Sequence, residues 1–234
     1  MKRIGNLYEK VISFKNLYKA FTKAKRGTKN TESLKFFYNL ENELFTLYQE
    51  LSTKIYKPVK YRYFKIYEPK EREISVASFR DRIVHHAIIN ILEPIYENIF
   101  IYDSYATRKE KGTHRAIKRA QEYLKKNKWY LKADIKKYFE SINPDILMQI
   151  LQTKIKDKDL LLLIEVIIRN SGEKKSGLPI GNLTSQFFAN VYLDKFDHYI
   201  KDDTQSITSI LEGNINYFDT YNLRNDIIQK GILS

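Results

Sequence analysis

The sequence predicts a helix-rich chain that also contains a small amount of β-strand. Apolar residues recur at intervals of three and four along most of the 234 residues, which is the period of helices that bury one face. Two stretches, 59–76 and 129–135, alternate between apolar and polar residues instead, and this period of two is typical of half-buried strands. We therefore expect mixed α and β structure in which helices outnumber strands.

The N-terminal quarter is expected to form two amphipathic helices. Residues 6–26 combine apolar positions at helical spacing with a basic face, and Gly27 ends the run. Asn30 or Thr31 is expected to cap the second helix. The apolar stripe predicted for that second helix consists of Leu34, Phe37, Tyr38, Phe45, Tyr48 and Leu51.

A hairpin and a long helix are expected to follow Pro58. Tyr61–Ile66 and Arg72–Val76 alternate on either side of a Glu68-Pro69 turn, so they are predicted to pair as two strands. Residues 81–100 have helical periodicity, with Pro94 as a kink or a break. His85 and His86 lie inside this helix. Because adjacent helical residues point about 100° apart, these histidines are interpreted as packing or polar-contact residues and not as joint metal ligands.

The second half of the chain alternates between helices and functional loops. Gly112 and Thr113 start a helix with a basic side, and an alternating strand then carries Asp134 to its end. Helices are predicted from Pro144 to about residue 155 and over 158–169, followed by a polar loop. Residues 177–186 form a Gly-containing loop that enters another helix, and Gly181 is expected to let the backbone approach a ligand closely.

The charge of the chain indicates a polyanionic partner. The net charge is +13, and residues 201–234 hold three Lys/Arg against five Asp/Glu, so the first 200 residues carry +15. These cations are mixed with 18 Tyr and 13 Phe. Cations beside aromatic faces are typical of nucleic-acid-binding surfaces. The alternative is an ordinary Lys-rich protein with no such partner.

Several classes of protein are excluded by composition. No apolar run approaches the roughly 20 residues of a membrane span, so no membrane partner is expected. The N-terminus lacks the apolar core of a secretion signal. The absence of cysteine excludes disulfides and thiolate metal sites, which makes a reducing, cytoplasmic setting the natural one.

Four blocks, in order, resemble the reverse transcriptases of bacteria, the class shared by group II introns and diversity-generating retroelements. The blocks are 70–88, 103–116, 132–142 (Lys-Ala-Asp-Ile-Lys-Lys-Tyr-Phe-Glu-Ser-Ile) and 177–194 (beginning Gly-Leu-Pro-Ile-Gly-Asn-Leu-Thr-Ser-Gln). Group II intron enzymes usually have Gln-Gly…Ser-Pro in the last block. The Ile180-Gly181…Ser185-Gln186 found here is similar to diversity-generating retroelement enzymes instead.

This resemblance implies an α+β fold of the right-hand polymerase type. Residues 1–112 would be the fingers with their N-terminal basic helices, and 113–200 a partial palm. Residues 201–234 would be a divergent tail, with the thumb absent. The change of charge after Tyr199 leads us to expect a gene truncated or frame-shifted near codon 200, with a genuine shortened variant as the alternative.

The resemblance also assigns the metal and nucleotide sites. Asp134 would ligate two Mg²⁺ ions, with the Ile135 carbonyl holding one of them. The residues that would contact the incoming nucleotide are Lys70, Arg72, Phe139, Ile180 and Gly181. Among these, Lys70 and Arg72 would bind the triphosphate, and Phe139 would exclude a 2′-hydroxyl.

Template and primer contacts are assigned by the same resemblance to Arg80, Arg82, Arg115, Ser185 and Gln186. For the three arginines, contact with the nucleic-acid backbone and a fold-supporting ion pair are both open alternatives.

The second catalytic motif of the family, aromatic-x-Asp-Asp, is missing in its usual form. Tyr217-Phe218-Asp219-Thr220 has the aromatic residue and the first Asp, which makes Asp219 the candidate for a second metal ligand. Asp202-Asp203 follows the preceding helix too closely for a returning strand to have formed.

Two functions follow from these observations. The first is an RNA-directed DNA polymerase, a nucleotidyltransferase that uses Mg²⁺, dNTPs, an RNA template and a DNA or RNA primer, with a small basic accessory protein as a partner. The second is a catalytically inactive fragment that only binds nucleic acid. A purely structural role is a third alternative, and the +15 charge of the first 200 residues argues against it.

Overall fold

The structure is a computed structural model and describes residues 3–28, 30–67, 71–126, 134–170 and 177–202. Helices form most of it. Two compact units are present: unit 1 comprises Met1–Asn98 and Phe139–Val191, and unit 2 comprises Ile99–Tyr138 and Tyr192–Ser234. In chain order, the elements are α1 (Tyr8–Ile12), α2 (Phe14–Lys25), α3 (Thr31–Tyr38), α4 (Leu40–Ser52), β1 (Arg62–Ile66), β2 (Arg72–Val76), α5 (Phe79–Glu97), α6 (Thr113–Leu124), α7 (Tyr138–Ser141), α8 (Pro144–Gln152), α9 (Lys158–Ile168) and α10 (Leu183–Asp202).

The N-terminal residues form two helices, so the expectation of a single helix over 6–26 is wrong. Ser13 leaves the helical region (φ −52°, ψ 138°), and its hydroxyl accepts a hydrogen bond from the Asn16 N–H. A serine side chain that binds a backbone N–H in this way caps a new helix. Asn16 is buried in turn, and its side-chain amide donates to the Ala87 carbonyl of α5 at 3.0 Å.

The second predicted helix is also divided, because Asn39 (φ −118°, ψ 34°) separates α3 from α4. Asn30 caps α3 by accepting from the Ser33 N–H at 2.9 Å, which confirms one of the two expected caps. Of the predicted apolar stripe, Leu51 is buried, Tyr48 is half-buried and the other four residues are exposed. The buried residues of the two helices are Ser33, Phe36, Leu44, Leu47 and Leu51. A single stripe cannot run through both helices because the break changes their phase.

Helix α5 lies at the centre of unit 1. Its buried side chains are Phe79, Asp81, Ile83, Val84, His85, Ala87, Ile88, Ile89, Leu92 and Tyr96. The rings of Phe21 on α2 and Phe36 on α3 pack edge-on against Phe79, with centroids 6.1 and 5.4 Å away. Burial lowers the pKa of His85 to about 3, so its imidazole is neutral. The helix continues through Pro94 to Glu97 and does not break there.

Strands β1 and β2 form the predicted hairpin. They pair antiparallel, with Arg62 opposite Val76 and Ile66 opposite Arg72, while the turn residues 68–70 lie outside the described residues.

A buried carboxylate fixes the segment that leads into β1. Asp81 of α5 accepts hydrogen bonds from the Tyr56 hydroxyl at 2.6 Å and from the Val59 N–H at 2.9 Å. The Ser78 hydroxyl donates a third hydrogen bond to this carboxylate at 2.7 Å. Because the carboxylate has three hydrogen-bond donors, it can be fully buried.

Helix α7 was not predicted, whereas the other remaining helices agree with the predicted positions. Helix α6 begins at Thr113 after Gly112, whose φ is +98°. Helices α8 and α9 lie within the predicted ranges, and α10 follows the Gly-containing loop. The strand predicted over 129–135 falls mostly on residues outside the described ones. Among its described residues, Asp134 and Ile135 are in neither helix nor strand.

Asp157 joins the N-terminal segment to α9. Its carboxylate accepts from the Leu7 and Tyr8 N–H groups at 2.7 and 2.9 Å and from the Leu160 N–H at 3.2 Å. Burial acts to raise the pKa of Asp157, but these backbone hydrogen bonds outweigh it and lower the pKa below its ordinary value. The carboxylate therefore satisfies free amides at the starts of both α1 and α9.

Replacing Asp157 with Ala is expected to lower the free energy of unfolding by about 1–2 kcal/mol, since a lost helix cap costs that much. Because the folded-state pKa is lowered, the contribution of Asp157 is present above the unfolded-state pKa and is lost as the pH falls through the folded value. Urea titrations between pH 3 and pH 7 measure both effects. Asp159→Ala is the matched control, because it removes a nearby exposed pair with Lys54 (2.8 Å) that is worth about 0–1 kcal/mol. Equal losses in the two variants would contradict the assignment.

Candidate functional site

The Gly-containing loop over 177–181 is fixed to α7 at one end. The Leu178 N–H donates to the Phe139 carbonyl at 2.7 Å, and the Gly177 N–H donates to the Ile142 carbonyl at 2.9 Å. Gly177 has φ +91°, and a Cβ atom there would lie 2.9 Å from the Glu140 Cα. Only glycine fits this position, because both the backbone conformation and the space exclude a side chain. The main chain of Phe139 is thus held in place by the loop.

The other end of the loop is fixed to β2. The Ser75 N–H donates to the Ile180 carbonyl at 2.7 Å. Gly181 has φ +113°, and a Cβ atom there would lie 2.7 Å from the Ile74 Cγ2 and 2.8 Å from the Ser75 carbonyl oxygen. The close approach that Gly181 permits in this structure is to the hairpin. The role of Ile74 and Ser75 was missed from the sequence, where only the glycine opposite them gave a signal.

These contacts bring several of the predicted nucleotide-site residues into unit 1. The loop carries Ile180 and Gly181, α7 carries Phe139, and β2 begins at Arg72. Phe139 and Ile180 are half-buried, whereas Gly181 and Arg72 are exposed. Lys70 lies outside the described residues. The arrangement therefore offers an exposed cation, a glycine main chain and two partly accessible apolar side chains on elements that the loop connects.

The start of α10 buries most of its polar groups. Asn182, Thr184 and Ser185 are 4%, 2% and 3% exposed, while Gln186 is exposed. The ring of Phe187 packs edge-on against Tyr96 of α5 at 5.4 Å. Of the two residues predicted here to contact the template or primer, only Gln186 is exposed in this structure.

Arg80 and Arg82 make contacts within the fold. Arg80 forms an ion pair with Glu50, and its guanidinium lies 5.3 Å from the ring centroid of Tyr56. Arg82 donates to the Ala24 carbonyl at 3.0 Å, and burial lowers its pKa. These contacts favour the fold-supporting alternative for both arginines. Arg115, on α6, is exposed.

Asp134 belongs to unit 2 and is exposed, in an irregular segment that precedes α7. Ile135 beside it is 46% exposed. Asp219 lies outside the described residues. Within the described ranges, no group of three or more His, Asp or Glu side chains is arranged to hold a metal ion. The oxygen donors of Asp134 and the Ile135 carbonyl suit Mg²⁺ chemically, but a complete site needs further ligands.

Unit 2 also contains a polar cluster centred on Asp103. This carboxylate accepts from the Arg119 Nε at 3.0 Å and from the Tyr123 hydroxyl at 3.3 Å, and it pairs with Lys201 at 2.5 Å. Burial acts to raise the pKa of Asp103, but the hydrogen bonds from Lys201 and Arg119 outweigh it and lower the pKa. The Nζ of Lys111 lies 3.5 Å from the ring centroid of Tyr102. The cluster links the 99–112 segment to α6 and to the end of α10.

A sequence model of the reverse transcriptase (RNA-dependent DNA polymerase) family matches residues 62–219, two thirds of the chain. The chain belongs to this family of nucleotidyltransferases. The match includes Asp134, both glycines of the loop, and the Tyr217-Phe218-Asp219 segment.

Several curated proteins are similar to the chain. Protein YkfC of Escherichia coli is 29% identical over 174 residues, which cover 68% of this chain and 45% of YkfC. Group II intron-encoded protein LtrA of Lactococcus lactis subsp. cremoris is 27% identical over 199 residues, which cover 81% of this chain and 33% of LtrA. The relatives therefore include group II intron-encoded proteins, and the match spans less than half the length of each of these two.

The fold is similar to part of a solved assembly. A chain of a partial Cas6-RT-Cas1–Cas2 complex matches with a TM-score of 0.52 and 21% identity, covering 84% of this chain and 35% of that one. This likeness supports the fold assignment. Within the described residues, no helix has the length and apolar character needed to cross a membrane.

Replacing Gly181 with Ala is expected to lower the free energy of unfolding by about 2–4 kcal/mol, since it adds steric overlap with β2 to the strain of a positive φ. Gly27→Ala is the matched control. Gly27 also has a positive φ (+71°), but nothing lies within 4 Å of the Cβ position, so only the conformational strain remains, about 1 kcal/mol. Chemical denaturation compares the two variants. A loss at Gly181 no larger than that at Gly27 would contradict the close contact with β2.

Proposed function

We propose that the chain provides fingers (1–112) and palm (113–200) residues of an RNA-directed DNA polymerase. The observation that carries the proposal is the family match over 62–219, because it includes both Asp134 and Asp219 and extends 19 residues beyond residue 200. In the proposed reaction, the primer 3′-oxygen forms a bond to the α-phosphorus of a dNTP, and the bond to the departing pyrophosphate breaks.

Asp134 and Asp219, with the Ile135 carbonyl, would hold two Mg²⁺ ions. Bound there, the ions would supply charge neutralisation and in-line alignment of the reacting oxygens. The support is chemical, since carboxylate and carbonyl oxygens are the donors that Mg²⁺ prefers. Asp134 is also exposed, which leaves its carboxylate accessible.

The residues of unit 1 would position the nucleotide. Arg72, exposed on β2, and Lys70 would contact the triphosphate. Ile180 and Gly181 would border the new base pair. The hydrogen bond from the Ser75 N–H to the Ile180 carbonyl would fix the position of these two residues relative to the hairpin. Ile180-Gly181…Ser185-Gln186 supports a diversity-generating retroelement type of enzyme, with an RNA template and a DNA or RNA primer. Gln186, which is exposed, would contact the template or the primer.

A second function, nucleic-acid binding without catalysis, is favoured by one observation. Thr220 stands where the family has the second Asp of its aromatic-x-Asp-Asp motif. One carboxylate fewer weakens the binding of a metal pair. This alternative retains the basic surface but predicts no extension of a primer.

Primer extension by the 234-residue chain on an RNA template, with Mg²⁺ and dNTPs, separates the two functions. We expect extension by the parent chain and a loss of at least 100-fold in Asp134→Ala and in Asp219→Ala, since each would remove a metal ligand. Asp145→Asn, which alters an exposed carboxylate paired with Arg169, is expected to leave extension unchanged. Nucleic-acid binding without extension would support the second function. Extension that survives in Asp134→Ala would refute the first.

Replacing Phe139 with Ala is expected to increase the incorporation of ribonucleotides relative to deoxyribonucleotides by about tenfold or more, because the ring would no longer block the 2′-hydroxyl. The Phe139 carbonyl accepts its hydrogen bond from Leu178 through the main chain, so the substitution leaves that contact available. Parallel single-nucleotide extension with rNTPs and dNTPs measures the ratio. Phe139→Tyr keeps a ring at this position and is expected to retain discrimination. An unchanged ratio in the Ala variant would exclude Phe139 as the gate.

A further inference from the structure

Helices α2 and α3 carry aromatic side chains that their packing does not bury. Phe14 and Tyr18 on α2 are 47% and 51% exposed, and Phe37 and Tyr38 on α3 are 43% and 84% exposed. We call these four residues the aromatic row. The buried positions of the same helices are occupied by other residues, Asn16, Leu17, Ala20, Phe21, Ala24, Ser33 and Phe36. The four exposed rings are therefore not among the residues that form the core contacts of these helices.

Ring contacts connect three members of the row through one buried ring. The centroids of Tyr18 and Phe21 are 6.3 Å apart, and those of Phe21 and Phe37 are 6.5 Å apart with their planes only 7° from parallel. Phe37 and Tyr38 follow at 6.1 Å. Phe14 precedes Tyr18 by four residues, so both lie on one side of α2. Three of the four exposed rings are thus connected through Phe21, which is 3% exposed.

The charges beside the row are positive. Residues 14–28 contain five Lys and Arg and no Asp or Glu. Lys15 and Lys19 each follow a ring of the row, and both are exposed. Lys25 places its Nζ 3.3 Å from the centroid of Phe37. Within the described part of the chain, the ammonium groups of Lys15 and Lys19 take part in no ion pair or hydrogen bond, so their charges are available to a ligand.

We propose that the aromatic row binds single-stranded nucleic acid, with bases stacked on Phe14, Tyr18 and Tyr38 and phosphates at Lys15 and Lys19. Aromatic faces alternating with cations suit a strand whose bases are unpaired and whose backbone carries one charge per nucleotide. A duplex cannot stack its bases on protein rings without opening. The row contains none of the residues assigned to metal, nucleotide, template or primer, so the proposal goes beyond the polymerase function and does not require it.

A binding experiment with the full chain tests the stacking. The probe is a fluorescent 12-nucleotide oligo(U), and its anisotropy gives the Kd across a range of salt concentrations. Because each base stacked on an aromatic ring adds to the affinity, Phe14→Ala/Tyr18→Ala is expected to raise the Kd at least about tenfold without changing the slope of log Kd against log salt. Both side chains are exposed, so the variant is expected to fold, and thermal melting verifies this. Leu162→Ala/Val166→Ala, which truncates two exposed apolar residues of α9, is the matched control.

Charge variants test the phosphate contacts. Lys15→Gln/Lys19→Gln is expected to reduce the salt slope by about 1.4, since each lost contact with a single strand accounts for about 0.7. Lys156→Gln/Lys158→Gln removes the same net charge from exposed positions elsewhere in unit 1 and is expected to change the slope less. Equal changes in the two charge variants would show that general electrostatics, and not the row, sets the affinity.

Two further probes locate the ligand on the row. An abasic 12-mer keeps the phosphates but has no bases, so Phe14→Ala/Tyr18→Ala is expected to leave its Kd unchanged. Tyr18→Trp is expected to show fluorescence quenching with oligo(U) and none with the abasic strand.

An equal loss of affinity of the Phe14→Ala/Tyr18→Ala variant for both strands, or an unchanged Kd for oligo(U), would overturn the proposal. If the aromatic variant lost affinity for poly-glutamate as it did for oligo(U), the surface would instead be a site for acidic protein. Primer extension takes no part in these readouts, so failure of the polymerase proposal would be seen separately.

Discussion

The arrangement of unit 1 depends on two close main-chain contacts made by one five-residue loop. Gly177 and Gly181 stand at the ends of the loop, and each approaches a neighbouring backbone to a distance at which a Cβ atom would overlap. Between them, the Leu178 amide and the Ile180 carbonyl form the hydrogen bonds to Phe139 and Ser75. These hydrogen bonds are all made by main-chain atoms. The connection therefore depends on glycine at both ends of the loop.

The loop over 177–181 could be predicted from the sequence, but its contact with β2 could not. The positions of α5, α8, α9, α10 and the hairpin could be predicted because each has a strong period or a clear capping residue. Gly181 was expected to admit a ligand, and the structure adds a close contact between this glycine and β2. A glycine indicates that something approaches the backbone. Only the tertiary contacts identify what approaches it, since β2 is about 100 residues away in the chain.

The N-terminal helices show why periodicity alone was insufficient. Ser13 and Asn39 each divide a run of helical residues, and the prediction extended one apolar stripe across Asn39. Phe37 and Phe45 were expected in the core because they lie on the predicted apolar stripe, whereas Phe36 and Leu44, their neighbours in sequence, are the buried residues. A one-residue error in phase turns a helix by about 100°, so a segment rich in aromatic residues on several sides gives no unique answer. Most of the predicted Asp134 strand lies outside the described residues.

The same ambiguity applies to the positive charge, and burial resolves part of it. The net charge of +13 suggested a polyanion, but composition cannot distinguish a cation that supports the fold from one that faces a ligand. Arg80 and Arg82 are committed to Glu50 and to the Ala24 carbonyl, whereas Lys15 and Lys19 are exposed beside aromatic rings. A cation that already has an internal partner must lose that partner before it can bind a phosphate, and this exchange reduces its contribution. The exposed lysines need no such exchange. The affinity of unit 1 for nucleic acid is therefore expected to depend more on α2 than on the arginines of α5, although those arginines lie in a block that resembles the polymerase family.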